Sequence, residues 1–451
     1  MIGIVVSRAD YASTHIRDQL LECTSWETQT DESRPNADGG GTYYTTPGFE
    51  LREFDELHIY LDDPSVAFSA PEQLEFVVFV SRHSGNTGKL LTAHVTGNFG
   101  PAEYGGTDGG LARAAPNAQK AIVASMQQYA PDEYDVGIEC THHGPSEMTV
   151  PSLFAEVGSD DPQWRDPEAA RAVAKAVLDC QTDADRIDSD GNTRHVVGFG
   201  GGHYAPRFTR VVMETDWAVG HIGADWQLEE LGDATANCDV IDRAFAASNA
   251  ALAVVEGTKP TLTSVISELG YRVVSETWLS VVGDRSLSLV KQVESELSSI
   301  DDGLRFGAGE TDSDELTYVS LPDELLAAAS GIDLDRTYKA VKSHTVAFET
   351  TEGATKPVGR AAIHSNDAYD ALVDEVSAIL TEKYDSVTRT DGEIVATTVG
   401  FDPERASTLG IPEGPKFGQL ASGRAIEHDG QTITPETVST EQVDRFIISR
   451  R

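Results

Sequence analysis

The chain has 451 residues, which is long enough for two or more domains or for one large domain with insertions. Hydrophobic residues make up 39% of it, a low share that still suffices for a core, and no run approaches the roughly 18 apolar residues of a membrane span. The first residues resemble a buried strand and not a signal peptide, so we expect a soluble, cytoplasmic protein that does not act at a membrane.

The net charge is the strongest signal in the composition. There are 74 Asp and Glu against 34 Lys and Arg, a formal charge of -40, and only ten of the basic residues are Lys. Such a surface stays hydrated in molar salt, where the Debye length falls to about 3 Å. The acidic residues are mixed with apolar segments along the whole chain, which argues against a disordered acidic tail. We therefore predict a halophilic protein, and the global charge does not exclude a nucleic-acid partner.

The four cysteines lie far apart and form no C-x-x-C pair; they are Cys23, Cys140, Cys180 and Cys238. This pattern is neither a zinc knuckle nor a disulfide framework, and it is typical of a reducing compartment. Cys140 alone has reactive neighbours, but burial at the end of a strand is its commoner role.

Apolar periodicity predicts alternating strands and helices over the first 200 residues. The predicted strands are 2–7, 57–60, 74–80, 90–95, 135–140 and 195–199, and the predicted helices are 11–23, 117–129 with Asn117 as N-cap, and 167–178. Two polar segments, 27–48 and 181–194, are expected to be a surface insertion and an acidic loop. The alternation is typical of an α/β sandwich with a parallel or mixed sheet.

The character of the sequence changes near residue 285. We expect a catalytic α/β core over 1–285 and an acidic extension or insertion over 286–400, with a helix at 366–383. The C-terminal segment 401–451 contains a dense turn at 409–418 and is a candidate to return to the core.

The stretch 135–147 concentrates the groups that can carry out chemistry. A short apolar run ending at Ile138 leads into Glu139, Cys140, Thr141, His142 and His143, and Gly144-Pro145 then breaks the backbone. Reactive side chains at the exit of a rigid strand are how α/β enzymes present catalytic groups. Adjacent residues of a strand point to opposite faces, so His142 and His143 serve one site only if the backbone turns between them.

Other histidines also follow predicted strands. The candidate metal ligands are His83, His94, His142, His143 and His203, with Glu139 and Glu147 as nearby carboxylates. Imidazole and carboxylate groups suit one or two Zn²⁺ ions. There is no H-E-x-x-H, so this prediction depends on the strand ends converging, and the alternative that these histidines hydrogen-bond loop backbone stays open.

Two glycine-rich stretches resemble phosphate-binding motifs without matching them. His203 stands where the dinucleotide fingerprint beginning at Gly198 needs glycine, and the P-loop pattern ending at Lys89 also fails. Glycine-rich backbone can still bind phosphate through its N–H groups, with Arg82 or Lys89 adding charge.

Four segments together resemble the archaeal-type D-aminoacyl-tRNA deacylase family, which also has plant members. They are Ser81–Ser84, Leu91–Asn98, Glu139–Pro145 and Gly200–Arg207, in the order of the family. The resemblance implies hydrolysis of the ester between a D-amino acid and tRNA, dependence on one or two zinc ions per subunit, and a three-layer phosphorylase/hydrolase-like α/β/α fold with a mixed sheet.

The family match places His83, His94, Asn98, Glu139, Thr141, His142, His143, Gly202 and His203 at motif positions, and neighbouring residues complete the candidate site. Glu139, Thr141, His142, His143 and Glu147 are the candidate catalytic residues, with Glu139 or Glu147 as general base; Arg82, Lys89, Asn98, Gly201 and Gly202 are the candidate substrate-binding residues. The implied partner is the 3′ end of D-aminoacyl-tRNA, with no DNA, bound by a monomer or small homo-oligomer. The chain departs from the family in its length and in Cys140, where a small residue is expected.

Two other functions remain as alternatives. A nucleoside phosphorylase or aminopeptidase-like hydrolase of the same fold would need a phosphate or peptide pocket. A non-catalytic tRNA-binding module would carry a basic and aromatic stripe, whereas Arg and Lys are scattered here.

We predict that lowering the salt concentration destabilises the protein. The charge of -40 repels itself once screening weakens, because the Debye length grows to about 10 Å at 0.1 M. The melting temperature should therefore rise steadily between 0.1 M and molar potassium chloride. A melting temperature that does not depend on potassium chloride would contradict the prediction of a halophilic protein.

Overall fold

The computed structural model describes residues 1–180, 191, 193–309 and 316–448. Most of the predicted acidic loop 181–194 lies outside the described residues. The chain forms two compact units that divide between Leu287 and Ser288.

The first unit contains twelve strands and nine helices among its described residues. The strands are β1 Ile2–Ser7, β2 Glu27–Asp31, β3 Gly41–Thr46, β4 Phe49–Phe54, β5 Phe76–Arg82, β6 Leu90–His94, β7 Asp135–Ile138, β8 Ser152–Gly158, β9 His195–Phe199, β10 Ala218–Gly223, β11 Leu252–Val255 and β12 Arg272–Val273. The helices are α1 Tyr11–Cys23, α2 Pro116–Tyr129, α3 Asp161–Trp164, α4 Pro167–Asp179, α5 Pro206–Glu214, α6 Asp225–Leu231, α7 Cys238–Ala247, α8 Pro260–Glu268 and α9 Glu276–Val282. Short 3₁₀ helices cover His58–Tyr60, Pro64–Ala67 and Pro71–Gln73.

The main sheet has eight strands in the order β2-β3-β4-β1-β5-β8-β6-β7. Its centre from β4 to β8 is parallel, β6 runs antiparallel to β8, and the edge formed by β2 and β3 is antiparallel. Every residue of β1 and β8 is buried, as expected for central strands covered on both faces. Helices α1, α2 and α4 pack on one another and against this sheet. The predicted α/β sandwich with a mixed sheet is confirmed.

A second, parallel sheet has the order β10-β9-β11-β12. The segment that leaves β7 joins it to the main sheet. The N–H of Cys140 donates to the carbonyl of His203 (2.8 Å), and the N–H of Thr141 donates to that of Ile222 (2.9 Å). The reactive stretch is therefore fixed between two sheets.

The structure differs from the predicted elements at several places. The segment 27–48 is largely exposed but supplies β2 and β3, and 57–60 contains a 3₁₀ helix instead of a strand. Ala115, and not Asn117, precedes α2, because Pro116 takes its first position and needs no N–H partner. The strand β8 was not expected, although its residues Leu153 to Val157 are all buried.

The second unit has its own sheets and core. Its elements are α10 Leu287–Glu296, which begins at the boundary, β13 Arg305–Phe306, β14 Thr317–Ser320, α11 Asp323–Ser330, α12 Leu334–His344, β15 Ala347–Thr351, β16 Lys356–Ile363, α13 Asn366–Leu380, β17 Ser386–Arg389, β18 Glu393–Phe401, α14 Pro403–Thr408, α15 Pro415–Ala421, β19 Ile426–His428, β20 Gln431–Ile433, a 3₁₀ helix Pro435–Val438 and β21 Ser439–Ile447. Three antiparallel sheets result, in the orders β13-β15-β16-β14, β17-β18-β21 and β19-β20.

The C-terminal segment belongs to this second unit. Strand β21 pairs along the whole of β18, and Phe446 joins the apolar cluster that contains Leu372 and Val376 of α13. This differs from the suggested return of 401–451 to the first core, because β21 pairs with β18 and its Phe446 packs against α13 instead. In the described part of the chain, no helix combines the length and apolar character that crossing a membrane requires.

We predict that Leu372→Ala lowers the free energy of unfolding by about 2–5 kcal/mol, because it empties a fully buried position of α13. Leu409→Ala is a matched control in the same unit, since Leu409 is 43% exposed, and it should change the value by less than about 0.5 kcal/mol. Denaturant unfolding of the full chain measures both. Equal losses in the two variants would contradict the core described here.

Candidate active site

Neighbouring strands of the main sheet place the candidate residues on one face. His94, the last residue of β6, lies opposite Phe154 of β8, and Glu156 lies two residues further along β8. Residues opposite each other and residues two apart share a face, so the imidazole of His94 and the carboxylate of Glu156 project to the same side. His83 follows directly after β5, which is paired with β8. Three strands therefore deliver side chains to one place.

The adjacent histidines reach the same place because the backbone turns. Strand β7 ends at Ile138, and His143 adopts the left-handed conformation with φ of 48°. This conformation costs a non-glycine residue about 1–3 kcal/mol, so the surrounding contacts must hold it. The two imidazole rings lie 4.4 Å apart between centroids, and both line one cavity.

This cavity has a volume of about 400 Å³. Its lining residues are Asp10, Leu57, His58, Ile59, Ser81, Arg82, His83, Ser84, Asn98, Phe99, Gly100, Pro101, Glu103, Tyr104, His142, His143, Glu156, His203, Trp226, Gln227 and Glu230. Histidines and four carboxylates thus share the cavity with apolar and aromatic side chains, and a few polar groups among apolar ones are typical of a small-molecule site.

Three histidines have a fixed tautomer. The Nδ1 of His94 contacts the carbonyl of Val95 (3.1 Å), and those of His142 and His143 contact the carbonyls of Cys140 and Gly144 (2.8 Å each). A carbonyl only accepts, so each Nδ1 carries a hydrogen, and wherever the ring is neutral its Nε2 keeps a lone pair. Metal-binding histidines are commonly oriented by such a second hydrogen bond.

Two buried carboxylates lie among the histidines. Glu139 Oε2 accepts a hydrogen bond from His203 Nε2 (2.7 Å) and lies 3.8 Å from His142 Nε2. Its other oxygen lies 3.1 Å from His83 Nδ1. Glu156 Oε2 lies 3.7 Å from His83 Nδ1 and 3.8 Å from His94 Nε2.

Burial and neighbouring charges set the protonation states. Desolvation lowers the pKa of His142 well below its usual value, helped by His94 and His143, and it lowers the pKa of His143 to about 3. Both rings are therefore neutral. Burial alone would raise the pKa of Glu139, but the hydrogen bond from His203 and the approach of His83 outweigh it and the pKa is lowered. Burial raises the pKa of Glu156.

The donor atoms fit a metal ion. Three groups of side chains have ligand atoms within 4.8 Å of one another: His94, His142 and His143; Cys140, His142 and His203; and His83, Glu139 and Glu156. His94 Nε2 and Glu139 Oε1 are buried and have no hydrogen-bond partner among the described residues. Buried polar atoms are rarely left unpaired. A cation in the first group would satisfy His94 Nε2, and a cation in the third group would satisfy Glu139 Oε1.

The structure brings together most of the predicted site residues. His83, His94, Glu139, His142, His143 and His203 form one cluster, and Arg82 and Asn98 line the same cavity. Thr141 is fully buried beside it, where its hydroxyl contacts His221 Nδ1 (3.1 Å) and accepts from the N–H of Ile222 (2.9 Å).

Four predicted residues lie elsewhere. Glu147 is exposed and accepts from the Thr107 hydroxyl (3.0 Å), and Lys89 pairs with Glu133. Gly201 and Gly202 follow β9 outside the cavity lining, and a Cβ on Gly201 would lie 2.7 Å from Glu256. Glu147 is close to His143 in the sequence, and Lys89 is close to the P-loop-like glycines. In neither case does this closeness in sequence direct the side chain into the cavity.

Several lining residues were missed from the sequence. Glu156 was overlooked because β8 was overlooked, yet a carboxylate within the apolar run Leu153 to Val157 is a signal of a buried ionisable group. Asp10 and His58 approach from a different part of the chain, and Tyr104 and Trp226 lie on loops and a short helix without a motif.

The fold and site define an α/β protein with a buried cluster of histidines and carboxylates able to bind metal. Residues 70–274 match the family described as D-aminoacyl-tRNA deacylase. A D-aminoacyl-tRNA deacylase of Halorubrum lacusprofundi is 55% identical, covering 99% of this chain and 97% of that protein. Those of Haloarcula marismortui and Methanoregula boonei are 48% and 32% identical, each covering 99% of this chain and 100% and 98% of the relative.

A crystal structure of a conserved protein of unknown function is also similar. It superposes with a TM-score of 0.55 at 30% identity, covering 63% of this chain and 99% of that protein. With relatives matched over nearly their full length, the chain belongs to the D-aminoacyl-tRNA deacylase family.

We predict that Thr141→Val lowers the free energy of unfolding by about 1–3 kcal/mol. The substitution keeps the shape but leaves His221 Nδ1 and the Ile222 N–H without their buried partner. Thr141→Ser keeps the hydroxyl and should lose less stability. Denaturant unfolding compares the two. If Thr141→Val is as stable as the wild type but inactive, the hydroxyl acts in the reaction and not in positioning.

Proposed function

We propose that the protein hydrolyses the ester bond of D-aminoacyl-tRNA and releases the free D-amino acid and tRNA. The observation that carries the proposal is one cluster of five histidines and two glutamates, most of which line a single cavity, in a chain of the D-aminoacyl-tRNA deacylase family. Charged tRNA is used in the cytoplasm, and we place the protein there.

We further propose that the site binds zinc. His94, His142 and His143 would hold one ion through their Nε2 atoms, and His83, Glu139 and Glu156 would hold a second. When bound, zinc supplies a Lewis acid that polarises the ester carbonyl and lowers the pKa of water at the site to about 7. The neutral state of His142 and His143 suits this role, since a ligand nitrogen must be unprotonated.

The two glutamates of the cluster have different roles, one in proton transfer and one in positioning. With a single ion held by His94, His142 and His143, the carboxylate of Glu156 stays free, and because it lines the cavity it is placed to take a proton from the attacking water. Glu139 lies behind the lining, where it accepts from His203 and faces His83, and so holds both rings in position. The general base is therefore Glu156 in this proposal, in place of Glu139 or of Glu147, which is exposed and does not line the cavity.

The leaving group is the terminal ribose hydroxyl of tRNA. An aminoacyl ester is already activated, so no nucleophilic serine is required, and positioning with proton transfer accounts for modest catalysis. A phosphorylase is less favoured, because Arg82 is the one Lys or Arg lining the cavity among the described residues. A binding protein without activity would not need a buried cluster of ionisable groups.

We predict that His142→Ala or His143→Ala abolishes deacylation of D-tyrosyl-tRNA while the fold is retained. Loss of acid–base help alone costs about 10²–10⁴-fold, and loss of a metal ligand costs more. Single-turnover deacylation and circular dichroism on the same preparations measure rate and fold. His344→Ala, which removes a partly exposed histidine paired with Glu375 in the second unit, is the control and should keep the wild-type rate.

Metal content gives a second measurement of the same variants. The purified wild type should contain zinc, and His143→Ala should contain less. Near-wild-type rates in both His142→Ala and His143→Ala would move the chemistry away from this cluster, and equal hydrolysis of D- and L-tyrosyl-tRNA by the wild type would contradict the substrate proposed.

A further inference from the structure

The mouth of the cavity carries large aromatic side chains that no motif explains. Tyr104 is 63% exposed and Trp226 is 42% exposed, and both line the cavity. Tyr60, next to the lining residue Ile59, is 54% exposed. The hydroxyl of Tyr104 has no hydrogen-bond partner among the described residues. A polar contact of the hydroxyl therefore does not account for the exposed position of the ring.

The backbones that carry Tyr104 and Trp226 are tightly fixed, although their rings are exposed. The carbonyl of Tyr104 accepts from the N–H of Gly144 (3.0 Å), one residue from the histidine pair. The following Gly105 packs so closely that a Cβ there would lie 1.8 Å from the carbonyl of Ile59. A side-chain amide then holds the same loop, since Asn98 Nδ2 donates to the carbonyl of Gly105 (3.0 Å).

Trp226 is anchored to the same histidine-bearing segment. It lies in the first turn of α6, and the side chain of its neighbour Gln227 spans between two backbones. Gln227 Oε1 accepts from the N–H of Ala224 (3.0 Å), and its Nε2 donates to the carbonyl of Thr141. Rigid aromatic faces that stay in water are a feature of surfaces that stack on a ligand.

We propose that Tyr104 and Trp226 stack on nucleobases of the single-stranded 3′ end of tRNA. This inference rests on the proposed deacylase function. It names the residues that contact the 3′ nucleotides of the substrate, which no sequence motif identified. The scissile ester must reach the histidines that line the cavity. The nucleotides must leave through the mouth, where the two aromatic rings lie.

The charges at the mouth favour stacking over phosphate contacts. Glu103 and Glu230 are exposed lining residues, and Arg82, which lies over the Trp164 ring, is the one Lys or Arg lining the cavity in the described part of the chain. Single-stranded nucleic acid is held either by cationic grooves or by stacking on aromatic side chains, and every base offers a flat face to stack. A surface with few cations must depend on the second mode.

The test compares binding and kinetics in the full chain. Binding of the unacylated trinucleotide CCA is followed by quenching of intrinsic tryptophan fluorescence, and by equilibrium dialysis where Trp226 is changed. Trp226→Ala and Tyr104→Ala should each weaken CCA binding and raise KM for D-tyrosyl-tRNA about 10-fold, the factor expected for one lost stack, with a much smaller change in kcat. Trp226→Phe and Tyr104→Phe should recover most of the loss.

Matched controls separate this role from others. Tyr11→Ala removes an aromatic ring that is 47% exposed and lies outside the cavity, and it should bind CCA like the wild type. The methyl ester of D-tyrosine has no nucleobase. With this ester, Trp226→Ala should raise KM at least ten times less than it does with D-tyrosyl-tRNA. An equal loss on both substrates would overturn the proposal.

Two further results would also overturn it. One is that the alanine variants raise KM for D-tyrosyl-tRNA but not for D-alanyl-tRNA, since the aromatic rings would then bind the amino-acid side chain. The other is CCA affinity unchanged in both alanine variants. Because CCA binding needs no hydrolysis, this measurement remains decisive even if the wild type fails to deacylate D-tyrosyl-tRNA, which would contradict the proposed function alone.

Discussion

The site depends on one constraint: the segment from Glu139 to Gly144 is hydrogen-bonded on all sides by backbone from other elements. Its N–H groups donate to the carbonyls of His203, Ile222 and Tyr104, and the carbonyl of His143 accepts from the N–H of Gly97 (2.8 Å). These bonds hold His143 in a left-handed conformation that an isolated chain would avoid. Without them the two adjacent imidazoles would point apart, and the cluster would lose its shared face.

The sequence predicted the parts of the site that follow from local patterns. Apolar runs ending at Ile138 and at Val80 marked strands, and groups at strand exits tend to converge in an α/β sheet, so the histidine cluster could be anticipated. The turn between His142 and His143 could be stated only as a condition, since the bonds that fix it come from residues far along the chain. The predictions for Lys89 and Glu147 were drawn from neighbouring motifs, which carry no information on side-chain direction.

The domain pattern shows the same limit. Helix α13 was visible as a periodic apolar stripe, and its buried residues recur three and four apart. Strand β21 was not, because most of its residues are exposed and Phe446 alone enters the core within it. Its position is set by pairing with β18, and a pairing between residues far apart in the chain leaves no signal in the local apolar pattern.

The hydrogen bonds from His94, His142 and His143 to backbone carbonyls have a consequence for a protein of such high charge. A carboxylate partner would gain or lose a proton with pH, and its attraction for imidazole would weaken as salt rises. An amide carbonyl has no proton to lose and no net charge to screen. The orientation of these three rings is therefore set by a partner that is indifferent to both variables, so neither pH nor the ionic medium around the acidic surface acts on these three hydrogen-bond acceptors.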